Sequence, residues 1–248
     1  MNTTLTNLCG RVVLPALFMT CACTINEGER VATSAVRTES RSVALGAAKR
    51  VKVSLEMKAG ELKITGGAQP LLDADFTYNV PRWKPEVKYE VNGDVGNLEL
   101  KQPESGGALG NTRYEWDLRL NNKVPMQITA DMGAGRATLM LGGLSLSKLE
   151  LNMGAGETTV DLTGNWKNDF SGQINGGVGR ATLRLPRDVG VRVVAEGGLG
   201  AINAHGLHKQ GDAYVNDEYG KSPVTLNLEV AGGVGEINLE LGEEPPAA

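Results

Sequence analysis

Gly133-Ala134-Gly135-Arg136-Ala137-Thr138-Leu139-Met140-Leu141 states a rule that the rest of the chain repeats. Two glycines bracket one small residue, and behind them apolar side chains take every second position. The rule returns at Gly154-Ala155-Gly156 with ETTVDL (157–162), and at Gly177-Val178-Gly179 with RATLRL (180–185). It returns again at Gly198-Leu199-Gly200 and at Gly233-Val234-Gly235 with EINLEL (236–241). Successive first glycines lie 21, 23, 21 and 35 residues apart, and the long interval holds His205–Ser222, which reads as an inserted loop. Gly60-Glu61-Leu62-Lys63-Ile64 and Gly96-Asn97-Leu98-Glu99-Leu100 read as weaker copies.

A period of two means strands with one buried face. Alternation also precedes the glycines, as in Met126–Ala130 and Val224–Leu228. Each unit therefore reads as strand, glycine corner, strand, turn. Glycine allows a positive φ or a close backbone approach at such a corner. Gly133, Gly135, Gly154, Gly156, Gly177, Gly179, Gly198, Gly200, Gly233 and Gly235 are the predicted structural turns. The expected fold is a single all-β domain, repetitive and solenoid-like in the manner of a parallel β-helix, with coils stacked on one another. An antiparallel β-sandwich is the alternative. Its hairpins favour Asn-Gly or Asp-Gly turns, which are sparse here apart from Asn92-Gly93.

Stacking predicts which side chains meet. The residues just after the glycines run Arg136, Glu157, Arg180, Ala201, Glu236, so opposite charges would face each other between neighbouring coils. Two positions later come Thr138, Thr159, Thr182, Asn203 and Asn238, a polar row read mainly as solvent-facing. Segment 49–120 is less regular but still alternates: Val51, Val53, Leu55 and Met57 share one face, as do Tyr114, Trp116, Leu118 and Leu120.

Composition narrows the function classes. The chain has 248 residues, 33 of them Gly, with 41% hydrophobic and 4% aromatic residues. This is too apolar for disorder and lacks a collagen period. A net charge of −4 with dispersed basic residues argues against nucleic acid as a partner. The three cysteines are Cys9, Cys21 and Cys23, so the rest of the chain can hold neither a disulfide nor a thiolate metal site.

Arg11 precedes the apolar run Val12–Met19, which is too short to span a bilayer but matches a signal peptide. Its end is similar to a bacterial lipobox. Ala22-Cys23 fits best and Cys21 is second, while Thr20 stands where a leucine is usual. The expected organisation is a signal peptide at 1–22, lipidation at Cys23 and a tether over 23–38. The β-repeat domain follows over 39–242, with a tail at 243–248. Such a chain would be exported and held to a bacterial membrane by its acyl chains.

Other motifs carry little chemistry. Strands rather than helices follow the glycines, which removes a dinucleotide site. Gly220-Lys221-Ser222 lacks the upstream glycine of a P-loop. The GGVG and GGLG strings lack the aspartates of calcium-binding nonapeptides. His205 and His208 read as solvated loop residues, and Asp73 and Asp75 as an exposed strand face. No catalytic, metal or cofactor residues are assigned. Trp83, in Pro81-Arg82-Trp83-Lys84-Pro85, and Trp166 are the candidate surface contacts.

Lys58-Ala59-Gly60-Glu61-Leu62 with Gly66-Gly67, then Asn111–Leu120 (NTRYEWDLRL), then the Gly-Ala-Gly units of 132–162 resemble the toast-rack family of bacterial envelope proteins. The resemblance covers about residues 40–242. It implies an all-β, solenoid-like fold found in exported lipoproteins and in membrane-linked regulators of envelope stress, with no shared enzymatic residues. The expected function is a non-catalytic, lipid-anchored envelope protein presenting a rigid β surface for binding, adhesion or stress sensing. Its partner would be an envelope protein or glycan, and self-association through end coils is open to it. A polysaccharide-active β-helix enzyme and a purely structural envelope protein are the alternatives.

Overall fold

The computed structural model describes residues 31–103, 108–109 and 111–242. Six long strands carry the repeat: β3 (Arg50–Ala68), β9 (Met126–Met140), β10 (Leu146–Asp161), β11 (Phe170–Leu185), β12 (Gly190–His205) and β15 (Thr225–Leu241). Each passes through a glycine corner that divides it into two arms. In β9 the buried residues before the corner are even-numbered (Met126, Ile128, Ala130, Met132), and those after it are odd-numbered (Ala137, Leu139). The corner thus shifts the alternation by one residue, and both arms turn their apolar sides into one core.

The six strands lie side by side as parallel rungs in the order β3-β9-β10-β11-β15-β12. Corners stay in register: Gly60 faces Gly135, Gly135 faces Gly156, Gly156 faces Gly179, Gly179 faces Gly235, and Gly235 faces Gly200. The long strands therefore pair in parallel, which is not the antiparallel pairing of the sandwich alternative. Among the described residues, thirteen strands form this mixed sheet, and the helical content is one 3-10 turn at Pro81–Trp83.

The rung order departs from chain order at one place. β15 lies between β11 and β12, so the last two units are exchanged. The segment read as an inserted loop makes this exchange. It contains the hairpin β13 (His208–Gln210) and β14 (Ala213–Val215), and β14 pairs with the first arm of β12. The chain then doubles back into the space beside β11. Electrostatics favours this order, since Glu236 rather than Ala201 comes to stand beside Arg180.

At the other end of the stack, further strands close both arms of β3: the strand next to each arm runs parallel to it, and antiparallel pairing begins one strand further out. Its first arm pairs with β6 (Val95–Lys101), which forms a hairpin with β5 (Glu86–Asn92) through Gly93 at φ +63°. Its second arm pairs with β8 (Tyr114–Asn121), followed by β4 (Leu72–Tyr78) and β2 (Arg37–Val43). Gly96 lies within β6 opposite Val51, so this weaker copy is a strand position and not a corner. A separate pair joins β1 (Val31–Ala32) to β7 (Ala108–Leu109). β1 and the start of β2 fall inside the span expected to be tether, so ordered structure begins before residue 39. The expected signal peptide, Cys21, Cys23 and the tail at 243–248 lie outside the described residues. Among the described residues no helix is long and apolar enough to cross a membrane.

Candidate functional site

The feature best built for contact is the outward face of the rungs, and the corners fix its geometry. A Cβ on Gly135 would lie 1.9 Å from the Gly60 carbonyl oxygen, far inside van der Waals contact, and one on Gly156 would lie 1.9 Å from that of Gly135. Both residues also hold positive φ, +130° and +135°. A side chain at either place is thus excluded by the neighbouring rung and disfavoured by its own backbone. The same approach recurs at Gly179, Gly235 and Gly200, each against a glycine carbonyl of the neighbouring rung. Adjacent rungs are locked at sheet spacing, and any side chain projecting from them becomes one member of a row.

The row next to the corner runs Glu61, Arg136, Glu157, Arg180, Glu236, Ala201. Charges alternate strictly until the final alanine. Arg136 reaches Glu61 at 3.2 Å and Glu157 at 3.5 Å; Arg180 reaches Glu157 at 3.8 Å and Glu236 at 2.9 Å. The Glu236 carboxylate, by hydrogen bonding to Arg180, holds that guanidinium's pKa above its usual value. These side chains are about half exposed, so each pair sets register more than it adds stability.

A second row carries Lys63, Thr138, Thr159, Thr182, Asn238 and Asn203. Asn203 Nδ2 donates to Asn238 Oδ1 at 2.8 Å. On the first arms, Asn175 donates to Asn152 at 2.8 Å, and Asn152 to Asp131 at 2.7 Å. Three amide or carboxylate side chains are thereby strung along three rungs. The surface is a regular grid of polar groups on a backbone that the corners hold fixed.

The two candidate contact tryptophans occupy other places. Trp166 is 9% exposed, stacks at 4.9 Å on Phe170 and donates its indole N–H to Leu162 O at 2.7 Å. The expectation of an exposed loop indole is corrected there: the ring has a core partner and its polar atom a backbone acceptor. Trp83 ends the 3-10 turn and is half-buried, edge-on to Tyr114 at 5.8 Å. Part of its ring remains available.

Asp75 accepts from Ser40 at 2.6 Å and pairs with Arg119 at 3.4 Å, within the face of β4. His205 and His208 are exposed, and His208 Nδ1 lies 3.7 Å from Asp217. Among the described residues, no group of three His, Cys, Asp or Glu side chains could hold a metal ion.

Sequence reading missed the residues that finish the stack. Gln102 is buried, and its Oε1 accepts from Lys58 N at 2.7 Å and Ala59 N at 3.3 Å, at the corner of the first rung. Asn121 Nδ2 donates to the carbonyls of Ala68, Gln69 and Pro70. Asn216 accepts from Val191 N at 2.9 Å and donates to Val189 O at 2.7 Å. Each is one amide among many in the sequence, with no local pattern to single it out.

Residues 32–184 match the family described as the N-terminal domain of toast_rack, DUF2154. The chain belongs to the toast-rack family. This toast-rack protein is similar to the crystal structure of a candidate cell adhesion protein from Clostridium sporogenes, with 37% identity and a TM-score of 0.81. The alignment covers 84% of this chain and 100% of that one. A candidate adhesin from Bacteroides fragilis aligns over 84% of this chain and 99% of its own, at 10% identity and a TM-score of 0.34. That second likeness is too weak to carry any argument. A comparison with curated proteins gives no match.

Proposed function

We propose that this toast-rack protein is a non-catalytic adhesive module of the bacterial cell envelope, exported and anchored by acylation at Cys23. Its units wind as a solenoid, and it presents the outward grid of charged and amide rows to an envelope protein or glycan. The observation that carries this reading is the likeness, over the full length of the clostridial relative, to a protein described as a candidate for cell adhesion. The alternating row Glu61, Arg136, Glu157, Arg180, Glu236 gives the reading a physical form, because the glycine corners hold these groups at fixed spacing. A preorganised surface loses little conformational entropy on binding.

The test is capture of envelope fractions by the purified full chain, with wild type compared against Glu157→Lys and Thr159→Lys. Saturable capture that either substitution weakens supports the proposal. No saturable capture from glycan or envelope-protein fractions overturns it, and so does glycan cleavage by the chain. Acylation is read separately from the mass of the mature N-terminal peptide, with and without Cys23→Ser.

A further inference from the structure

The two ends of the stack are finished differently. At the β3 end both arms are covered, first by the parallel strands β6 and β8 and then by strands antiparallel to those, and the outermost, β5 and β2, are polar. β2 reads Arg37-Thr38-Glu39-Ser40-Arg41-Ser42-Val43, and β5 reads Glu86-Val87-Lys88-Tyr89-Glu90-Val91-Asn92. At the β12 end the first arm is covered by β14 and then β13, with His208-Lys209-Gln210 outermost. Charge on an edge strand discourages further pairing. The second arm of β12 is the exception. Among the described residues, Ala201-Ile202-Asn203-Ala204-His205 pairs only with β15, and its outer edge has no strand. It contains no Lys, Arg, Asp or Glu.

A second observation converges on the same end. The residue just before the positive-φ corner glycine is Ala59, Ala134 and Ala155 in the first three rungs, then Val178, Val234 and Leu199 in the last three. Exposure is 57% for Val178, 47% for Val234 and 74% for Leu199, which stands on the last rung. Ile202 and Ala204, which face the core, are only half-buried because no further rung lies over them. Apolar surface and unpaired backbone therefore coincide at one end of the molecule.

We infer that the second arm of β12 is a self-association edge, at which two copies of this chain pair antiparallel about a two-fold axis through Asn203. The inference does not depend on the adhesive reading. A second copy fits because the edge is self-complementary. With Asn203 opposite its own symmetry mate, Ala201 meets His205 and Ile202 meets Ala204, and no acidic or basic side chains are brought together. The amide row ending at Asn203–Asn238 then continues across the axis. A two-fold axis normal to the sheet keeps Ile202 and Ala204 of both copies on the core side, so the apolar layer also continues. Such an interface is isologous and closes at two copies, which an open head-to-tail contact with β2 would not do. The charges of β2 disfavour that contact as well.

Sedimentation velocity on the purified full chain tests this. The expected result is a concentration-dependent dimer. Asn203→Lys, which puts two ammonium groups on the axis, should weaken it about tenfold or more. Ser40→Lys on the opposite edge should leave it unchanged, and thermal melts confirm that both variants fold. Oxidation of Asn203→Cys should give a disulfide-linked dimer whose bridge maps to position 203 in both copies. A wild-type chain that stays monomeric across the micromolar range overturns the inference. A dimer that is indifferent to Asn203→Lys, or whose bridges map elsewhere, overturns it equally.

Discussion

The first and last rungs share the positive-φ corner glycine, Gly60 and Gly200, but are completed by different means. β3 has its corner amides Lys58 and Ala59 bonded to the buried Gln102, and Tyr114 covers Gly60, whose own Cβ would strike the Tyr114 carbonyl. Phe76, Tyr78, Tyr114 and Trp116 pack beside it, with Phe76 edge-on to Trp116 at 5.7 Å. Among the described residues β12 has no counterpart to Gln102 or to this aromatic group, and its corner carries the exposed Leu199. The difference shows that the repeat supplies register only. What ends a stack of rungs is non-repeating sequence, and this chain spends about a third of its length on doing so at one end.

The interior of the corner changes along the stack in a compensating way. Met57, Met132 and Met153 fill it in the first three rungs, and Gly176, Gly232 and Gly197 stand there in the last three. Where methionine is lost, Ile237 and Ile202 take its place, lying within 3.6 Å of where a Cβ on Gly232 or Gly197 would be. On β15 and β12 the volume absent at the glycine is thus supplied from the other side of the corner, as close packing favours. β11 makes neither provision, since Gly176 is paired with Ala181 on the same rung.

The comparison of the two ends can be broken or sharpened by substitution. The largest effect is expected at a corner enclosed by rungs on both sides. Gly135→Ala should cost about 4 kcal/mol or more in urea unfolding, or prevent folding, because backbone on the neighbouring rung blocks the methyl group and φ is positive. Gly200→Ala meets the same obstacle from Gly235, but β12 is free to shift outward, so roughly half that cost is expected. Gly93→Ala, at φ +63° with open space around it, should cost only about 1 kcal/mol, which isolates the conformational part.

Gln102→Ala is comparable with Gly200→Ala, expected to cost about 2 kcal/mol by leaving two backbone N–H groups at the β3 corner without their acceptor. Hydrogen exchange at residues 57–61 should rise toward the rate at 198–202. Equal protection of the two corners in wild type would contradict the contrast drawn between them.

Alkali provides a smaller and regional effect. Burial, followed by the hydrogen bond to Glu39 at 2.5 Å, pushes the Tyr78 pKa up to about 12 from 10.0. Burial raises Tyr89 and Tyr114 as well. A folded-state pKa above the unfolded one means that folding favours the protonated phenol. The stability this contributes is complete below pH 10 and is lost as pH rises toward 12. Exchange measured across that window should loosen the β2-β4-β8 end before the β12 end. Tyr78→Phe should flatten the pH dependence.

The smallest effect belongs to the charged row. Arg136→Glu faces Glu61 and Glu157 with like charge and should cost about 1 kcal/mol or less, with most of the cost removed at about 1 M salt. A large, salt-independent loss would mean that the row is structural in a way its exposure does not suggest.

Much of this architecture was legible in the sequence because glycine spacing and period-two alternation are both local signals. Gly133 through Gly156 show their role within 24 residues, and Arg136–Glu157–Arg180 could be paired from spacing alone. The position of β15 was not legible in the same way. Chain order puts Gly198 next to Gly177, and only the row of charges, read as a requirement that Glu236 stand beside Arg180, points to the exchange. Trp166 was misplaced because the polar neighbours Asn165 and Lys167 suggest a loop, whereas its packing on Phe170 is a tertiary contact that periodicity does not record. The open edge of β12 was invisible until the rung order was known.

That rung order is therefore the claim on which the rest depends, and paired cysteines test it most directly. Neighbouring parallel strands place facing Cα atoms about 4.8 Å apart, within the span of a disulfide, whereas strands two rungs apart are beyond it. With bridges mapped by peptide mass, Arg180→Cys with Glu236→Cys should form a disulfide, as should Glu236→Cys with Ala201→Cys. Arg180→Cys with Ala201→Cys should not. A bridge between positions 180 and 201, with none between 180 and 236, would restore chain order and remove the open second arm of β12 from the end of the stack.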